Sequence, residues 1–100
     1  MAVYVIVEIA DVLDEPAYAA YRTRVDSSVA DAGGAYLARG GRVDVLEGAW
    51  QPNRIVLVRF DTAEAARSWW AGEAYAPFKA IRQRATKTNM ILVEGAGDAR

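Results

Sequence analysis

The chain has 100 residues, with 12 Lys or Arg, 13 Asp or Glu and a net charge of −1 at pH 7. Hydrophobic residues make up 53% of it, which is typical of one globular domain with its own core. The chain has no excess of positive charge, so we expect it to bind neither nucleic acid nor an anionic membrane. Cysteine and histidine are absent, which excludes disulfides, thiolate chemistry and the commonest general base. We therefore expect no metal site and no cofactor.

The ends of the chain and its apolar runs bear on where the protein works. No basic leader precedes the first apolar segment, and no apolar run is long enough to span a bilayer. We therefore expect a cytoplasmic protein.

The first half of the chain predicts a strand followed by a long helix. Residues 3–9 are mostly β-branched and apolar on both faces, which indicates a strand covered on both sides. Asp14 and Pro16 are typical of a helix start, and Gly33-Gly34 suits its left-handed end. Between them, one apolar stripe recurs at helical spacing: Tyr18, Tyr21, Val25, Val29 and Ala32.

The next segment is broken by Gly40-Gly41. Residues 35–39 and 42–47 both have strand character, and the glycines between them permit either a β-bulge or a two-residue hairpin turn. We favour one long strand kinked at the glycines. Such a kink would bring Arg39 and Glu47, the charged ends of its two halves, toward one another.

The second half predicts a strand, a split helix and a last strand. Residues 54–60 form the strand, and Asp61 with Glu64 has the spacing of a capping box for a helix that ends at Gly72. Pro77 begins a further helix, and residues 88–94 form the last strand. We expect one domain over residues 1–96 and a flexible tail over residues 97–100.

The resulting order, βαββαβ, predicts an α+β ferredoxin-like fold with a four-stranded antiparallel sheet. Both helical connections then lie on one face of the sheet. The opposite face has no cover within the chain, although strands one and three are apolar on both faces. We therefore expect a homodimer that buries this bare face.

Several motifs together resemble the bacterial family known as domain of unknown function 1330, within the dimeric α+β barrel superfamily. They include Gly33-Gly34 and, one residue later, Tyr36-Leu37-Ala38-Arg39-Gly40-Gly41, then Val45-Leu46-Glu47-Gly48 with Trp50, Pro52 and Arg54, then Ala66, Trp69, Tyr75 and Arg82, and finally Val93-Glu94-Gly95. The resemblance implies a homodimer whose two sheets face each other. It implies no activity. Related barrels include cofactor-free monooxygenases, lactone isomerases and haem enzymes, and the lack of histidine disfavours the haem route.

Seven side chains are candidates for a ligand-binding cleft beside the sheet: Tyr21, Tyr36, Arg39, Glu47, Trp70, Tyr75 and Arg82. Arginine at Arg39 or Arg54 would grip a carboxylate, and aromatic rings would hold a planar body. The alternative is structural, because ion pairs around Arg39, Glu47 and Arg54 would pin the kinked strand, and aromatic rings commonly pack as core. Arg82 lies on an apolar stripe, where three alternatives are open. It would contact the acid group of a ligand, form an internal ion pair, or extend its charged end to solvent.

Glu8 and Arg59 are expected to pair across the sheet, on the reading that strands one and three are parallel neighbours. No second acid or nucleophile is placed beside Glu8 by the sequence, so its use as a catalytic base has no support.

Three functions are consistent with these residues, and whether the protein is an enzyme is left open. The favoured one is a homodimer that binds a small organic molecule, an aromatic or hydrophobic acid, in the cleft. The second is a cofactor-independent enzyme of the monooxygenase or isomerase kind, working with Tyr, Arg and Glu. The third is an assembly module without a ligand.

Overall fold

The computed structural model describes residues 1–97. Its elements are β1 (Val3–Val12), α1 (Glu15–Asp31), β2 (Ala35–Arg39), β3 (Arg54–Phe60), α2 (Ala63–Ala71), α3 (Ala76–Ala85) and β4 (Thr86–Glu94). This is the predicted α+β, ferredoxin-like order. Of the predicted tail, residues 98–100 lie outside the described residues. No helix within residues 1–97 has both the length and the apolar character needed to cross a membrane.

The sheet has the order β2-β3-β1-β4, and every neighbouring pair is antiparallel. The expectation that β1 and β3 run parallel is therefore wrong. Glu8 lies opposite Ile55, and Arg59 lies opposite Tyr4, so the two charges are four residues apart, about 13 Å along the strands. Arg59 instead bonds Asp61 at 2.7 Å.

Helix boundaries follow local capping chemistry. The Asp14 side chain accepts a hydrogen bond from the Ala17 amide, and Pro16 occupies the first turn of α1, as expected. At α2 the cap is Thr62, whose hydroxyl accepts from the Ala65 amide, and not the predicted Asp61. Asp61 is engaged by Arg59, which leaves the next residue to cap the helix.

The core lies between the helices and one face of the sheet. Alternate residues of β1, namely Val3, Val5, Val7 and Ile9, are buried, together with Val58 and Phe60 of β3. They pack against Tyr18, Val25 and Val29 of α1, Ala66 and Trp69 of α2, and Ala85 of α3. The molecule is only 17 Å thick along its shortest axis, which leaves room for one sheet and one helical layer.

The opposite face of the sheet is uncovered within the chain. Ile6 is paired in register with Leu57 on one side and Ile91 on the other, so an apolar row crosses this face. Beside it, Glu8 accepts hydrogen bonds from Trp50 Nε1 at 2.9 Å and Asn89 Nδ2 at 3.0 Å, which lower the pKa of its carboxyl group. We define the bare face as the outward side chains of β1, β3 and β4: Tyr4, Ile6, Ile55, Leu57, Ile91 and Val93.

The predicted long kinked strand is wrong in its second half. β2 ends at Arg39, and residues 41–53 form an irregular loop without strand pairing. Gly40 takes a φ of +69° at this point, a left-handed conformation that glycine adopts without strain, and the chain leaves the sheet there. Neither of the predicted alternatives, a bulge or a two-residue hairpin, therefore describes Gly40-Gly41.

Gly34 is required for close packing and not for a positive φ, which is found at Gly33 instead. A Cβ on Gly34 would lie 2.8 Å from Val29 Cγ1 and 2.9 Å from the Phe60 ring, whereas one on Gly41 would meet nothing within 4 Å. We expect Gly34→Val to lower the free energy of unfolding by about 1–3 kcal/mol through overpacking. Gly41→Val, the matched control, is expected to leave it unchanged. Urea denaturation of both variants measures this, and equal midpoints would contradict it.

Candidate functional site: an arginine-rich cavity under helix α1

A cavity of about 90 Å³, partly open to solvent, lies between α1 and the helix-covered face of the sheet. We call it the α1 cavity. Its apolar lining comes from both layers: Val7, Ile9, Val25, Val56, Val58, Trp69 and Met90. The tyrosines Tyr18, Tyr21 and Tyr36 complete its aromatic part. The site therefore has walls of aliphatic and aromatic side chains, as small-molecule sites usually do.

Four arginines also line the α1 cavity: Arg22, Arg39, Arg54 and Arg82. No acidic residue is among its lining within the described part of the chain. Asp26 pairs with Arg39, so the other three arginines give the cavity its excess of positive charge, although the whole chain carries a net charge of −1. Such a concentration of one sign of charge in a low-dielectric recess favours an anion.

Arg39 ties β2 to α1 at the edge of the cavity. Its guanidinium pairs with Asp26 at 2.5 Å, donates to the Arg22 carbonyl at 2.8 Å and lies 4.4 Å from the centre of the Tyr36 ring. A carboxylate of the chain holds Arg39, as expected, but the favoured partner Glu47 is wrong. Glu47 is exposed in the loop 41–53, whereas Asp26 lies on α1, where the Arg39 side chain reaches it.

Arg82 is the most buried of the four arginines, at 5% exposure. Its Nε donates to Tyr75 Oη at 3.2 Å, and no carboxylate of residues 1–97 lies within 4.0 Å of it. Burial of a charge is unfavourable unless another charge or several hydrogen bonds compensate for it. The guanidinium is thus a built-in positive charge that an anion in the cavity would neutralise.

A hydrogen-bonded chain runs from Arg82 through Tyr75 to Tyr21. Tyr75 is fully buried, stacks on Trp69 with ring centroids 4.1 Å apart, and lies 3.0 Å from Tyr21 between the two hydroxyl oxygens. Tyr75 Oη accepts from Arg82, and either hydroxyl can be the donor in the bond between Tyr75 and Tyr21. When Tyr75 donates, the Tyr21 hydrogen is free to donate into the α1 cavity. Trp69 is held in turn by its Nε1 bond to Ser28 Oγ at 3.3 Å.

Tyr21 and Tyr36 are donors at neutral pH and not bases. Burial raises the pKa of Tyr21 far above its usual value, and the nearby Tyr75 hydroxyl adds to the effect. Burial likewise raises the pKa of Tyr36 to about 12, although the Arg39 charge acts in the opposite direction. The site therefore presents guanidinium and phenol N–H and O–H groups, which bind an anion or stabilise an oxyanion.

The structure brings together four of the seven predicted site residues as cavity lining: Tyr21, Tyr36, Arg39 and Arg82. Tyr75 lies behind them and orients Tyr21 and Arg82. Trp70 is 44% exposed, with Lys79 Nζ 3.8 Å from its ring centre, and lines a different cavity. Glu47 is outside the site.

Arg22 is the cation that the sequence reasoning missed. It lies four residues after Tyr18 and three before Val25, on the apolar stripe of α1, and a count of helical positions would have placed it there. Arg54, expected with Arg39 to bind a carboxylate, shares its strand face with Val56 and Val58, and its guanidinium carbon lies 5.3 Å from the Tyr18 ring centre.

The raised pKa of Tyr36 makes stability depend on alkaline pH. The unfolded chain loses tyrosine protons from about pH 10, while folded Tyr36 keeps its proton until about pH 12. Between pH 10 and 12 the unfolded state therefore binds fewer protons than the folded state. The free energy of unfolding has its full value below pH 10 and falls as the pH rises from 10 to 12. We expect urea denaturation from pH 8 to 11 to show this fall, and Tyr36→Phe to make it shallower. Identical pH profiles for the two proteins would contradict it.

Comparison with known proteins identifies the family and the fold. No curated protein matches the sequence. A protein of unknown function from Rhodopseudomonas palustris, RPA0582, matches in structure with a TM-score of 0.77 and 15% identity over 96% of this chain and 83% of that one. SnoaB, a cofactor-independent oxygenase from Streptomyces nogalater, matches with a TM-score of 0.66 and 12% identity over 96% and 94% of the two chains. Rv0793 from Mycobacterium tuberculosis matches with a TM-score of 0.59 and 14% identity over the full length of both.

These neighbours share the α+β, ferredoxin-like fold, which confirms the fold expected from the sequence. At such identities they carry the fold alone. The family match extends over residues 2–96, nearly the whole chain. The chain therefore belongs to the family described as domain of unknown function (DUF1330).

Proposed function

We propose that this protein binds a small organic acid in the α1 cavity, with Arg82 and Tyr21 as the donors to its carboxylate. The observation that carries the proposal is the buried Arg82 guanidinium, which has no carboxylate within 4.0 Å in residues 1–97. Arg22 and Arg54 add positive charge at the same cavity. A carboxylate would replace the missing counterion and accept hydrogen bonds from both Arg82 and Tyr21.

The size of the α1 cavity limits what enters it. A cavity of about 150 Å³ is known to hold benzene, and the volume here is about 90 Å³. The acid group and a few carbon atoms fit this space, whereas an aromatic ring requires room elsewhere. For the aromatic or hydrophobic acid expected from the sequence, we therefore propose that only the acid group lies in the α1 cavity.

A cofactor-independent oxygenase or isomerase is the second candidate. The Arg82–Tyr75–Tyr21 chain is an arrangement of donors suited to an enolate or phenolate as well as to a carboxylate. One structural neighbour, SnoaB, is a cofactor-independent oxygenase. Proton abstraction needs a base, however, and the described lining contains neither carboxylate nor imidazole. Binding is therefore the better-supported function, and turnover of a quinol or a lactone would favour the enzyme instead.

The bare face supports the proposal of a homodimer. Ile91 and Val93 are 57% and 40% exposed there, and Leu46 and Trp50 of the loop 41–53 are 91% and 63% exposed. Apolar side chains on three adjacent strands form a continuous patch, and a second copy would cover it with the same patch. An assembly module without a ligand would need this surface alone and would leave the buried Arg82 unexplained. A cytoplasmic location, expected from the sequence, stays a prediction.

Removal of the Arg82 charge tests the acid site. We expect wild-type protein to bind propionate and not 1-propanol in an NMR titration, because only the acid supplies a counterion. Arg82→Met is expected to weaken propionate binding about 10- to 100-fold, since hydrogen bonds to a charged group contribute about 1.5–3 kcal/mol. Arg82→Lys would fall between the two because it keeps the charge without the fork of donors.

Two controls accompany this experiment. Arg84→Met changes an exposed arginine on the same helix that lines neither cavity, and it should bind propionate like wild type. Without ligand, Arg82→Met is expected to be as stable as wild type or more stable, because an unpaired buried charge has been removed. Equal affinity of the wild type for acid and alcohol would overturn the proposal.

A charge on the bare face tests the dimer. We expect wild-type protein to have the mass of a dimer in light scattering at micromolar concentration. Leu57→Lys places a charge in the middle of the apolar row and should yield a folded monomer, because a charge buried in an interface without a partner is unfavourable. Ala20→Lys, at an exposed position of α1, is the control and should stay dimeric. A wild-type monomer would contradict the proposal.

A further inference from the structure

A second and larger cavity lies between α2, α3 and the sheet, with a volume of about 630 Å³. We call it the α2–α3 groove. Its apolar side chains are Val5, Ala66, Trp69, Trp70, Ala71, Met90 and Leu92, and its polar lining comprises Arg67, Arg82, Gln83 and Thr88. The volume lies within the range of about 300–1,000 Å³ that is usual for small-molecule sites.

The groove and the α1 cavity share part of their walls. Trp69, Arg82 and Met90 line both spaces. Arg82 therefore faces the small, positive cavity on one side and the large, mostly apolar groove on the other. A molecule that reaches the Arg82 guanidinium from the groove side has apolar space available to it that the α1 cavity alone does not offer.

Trp70 forms a fixed part of the groove wall. Lys79 Nζ donates to the Trp70 carbonyl at 3.0 Å and lies over its ring at 3.8 Å, so the indole is held in place by a cation–π contact. Its neighbour Trp69 is in the core, because adjacent helical residues point about 100° apart. Trp70 is thus 44% exposed as part of the groove wall, where an apolar ligand can contact it.

The charges of the groove also select an acid. Arg67 and Arg82 are its only charged lining residues in the described part of the chain, and both are positive. We infer that the ligand is an amphiphilic carboxylic acid, whose carboxylate binds Arg82 and whose hydrocarbon body occupies the α2–α3 groove. The inference rests on the proposed function for the acid group and adds the class of molecule attached to it.

Chain-length dependence tests the inference. Calorimetry with straight-chain carboxylates of two to ten carbons, each below its micelle-forming concentration, should show affinity rising about three- to fourfold per CH₂ group. Alcohols of the same length should bind more weakly at every length, because they leave Arg82 without a counterion. Ala71→Phe fills the groove from an exposed position at the end of α2, and it should flatten the rise for the longer acids.

Ala80→Phe is the matched control, since Ala80 is exposed on α3 and lines neither cavity, and it should keep the wild-type rise. If propionate binds through Arg82 but longer acids gain nothing, the groove inference is overturned while the proposed function stands. If no acid of any length binds, the proposed function itself has failed. If Ala71→Phe lowers the mass in light scattering from that of a dimer to that of a monomer, a second copy occupies the groove, and the inference is also overturned.

Discussion

The buried Tyr75 hydroxyl, hydrogen-bonded to both Arg82 and Tyr21, is the group that joins the helices in the interior of this protein. It links α3 to the turn before it, and through Tyr21 it reaches α1 on the other side of the helical layer. Tyr75 also stacks on Trp69 of α2, so one fully buried phenol touches all three helices or their immediate neighbours. Satisfied polar chains of this kind specify a unique packing, because any shift of one helix leaves a buried group unpaired.

The same chain leaves the interior electrically unbalanced. A core built only for stability would give Arg82 a carboxylate or replace it by an apolar residue of similar volume. Here the carboxylate near the cavity edge, Asp26, pairs with Arg39 instead. Binding sites commonly retain such unfavourable charges, because the free energy lost in the empty protein is recovered when the ligand binds.

The two faces of the sheet separate two tasks. The helix-covered face holds the core and both cavities, whereas the bare face carries an apolar row with Glu8, Trp50 and Asn89 hydrogen-bonded beside it. A sheet in a two-layer fold has only one internal cover, so its second face is free to meet another molecule. A partner on that face would leave the helix side of the cavities accessible to ligand.

Local chemistry in the sequence determined the elements of this protein. Apolar runs in residues 3–9 and 54–60, the Asp14 cap and the glycines after α1 and α2 act between near neighbours, and they predict the βαββαβ order. The partner of Arg39, the loss of strand pairing after Gly40 and the isolation of Arg82 were decided by the tertiary structure. Each depends on which helix lies over which strand, and that placement results from packing between segments far apart in the chain.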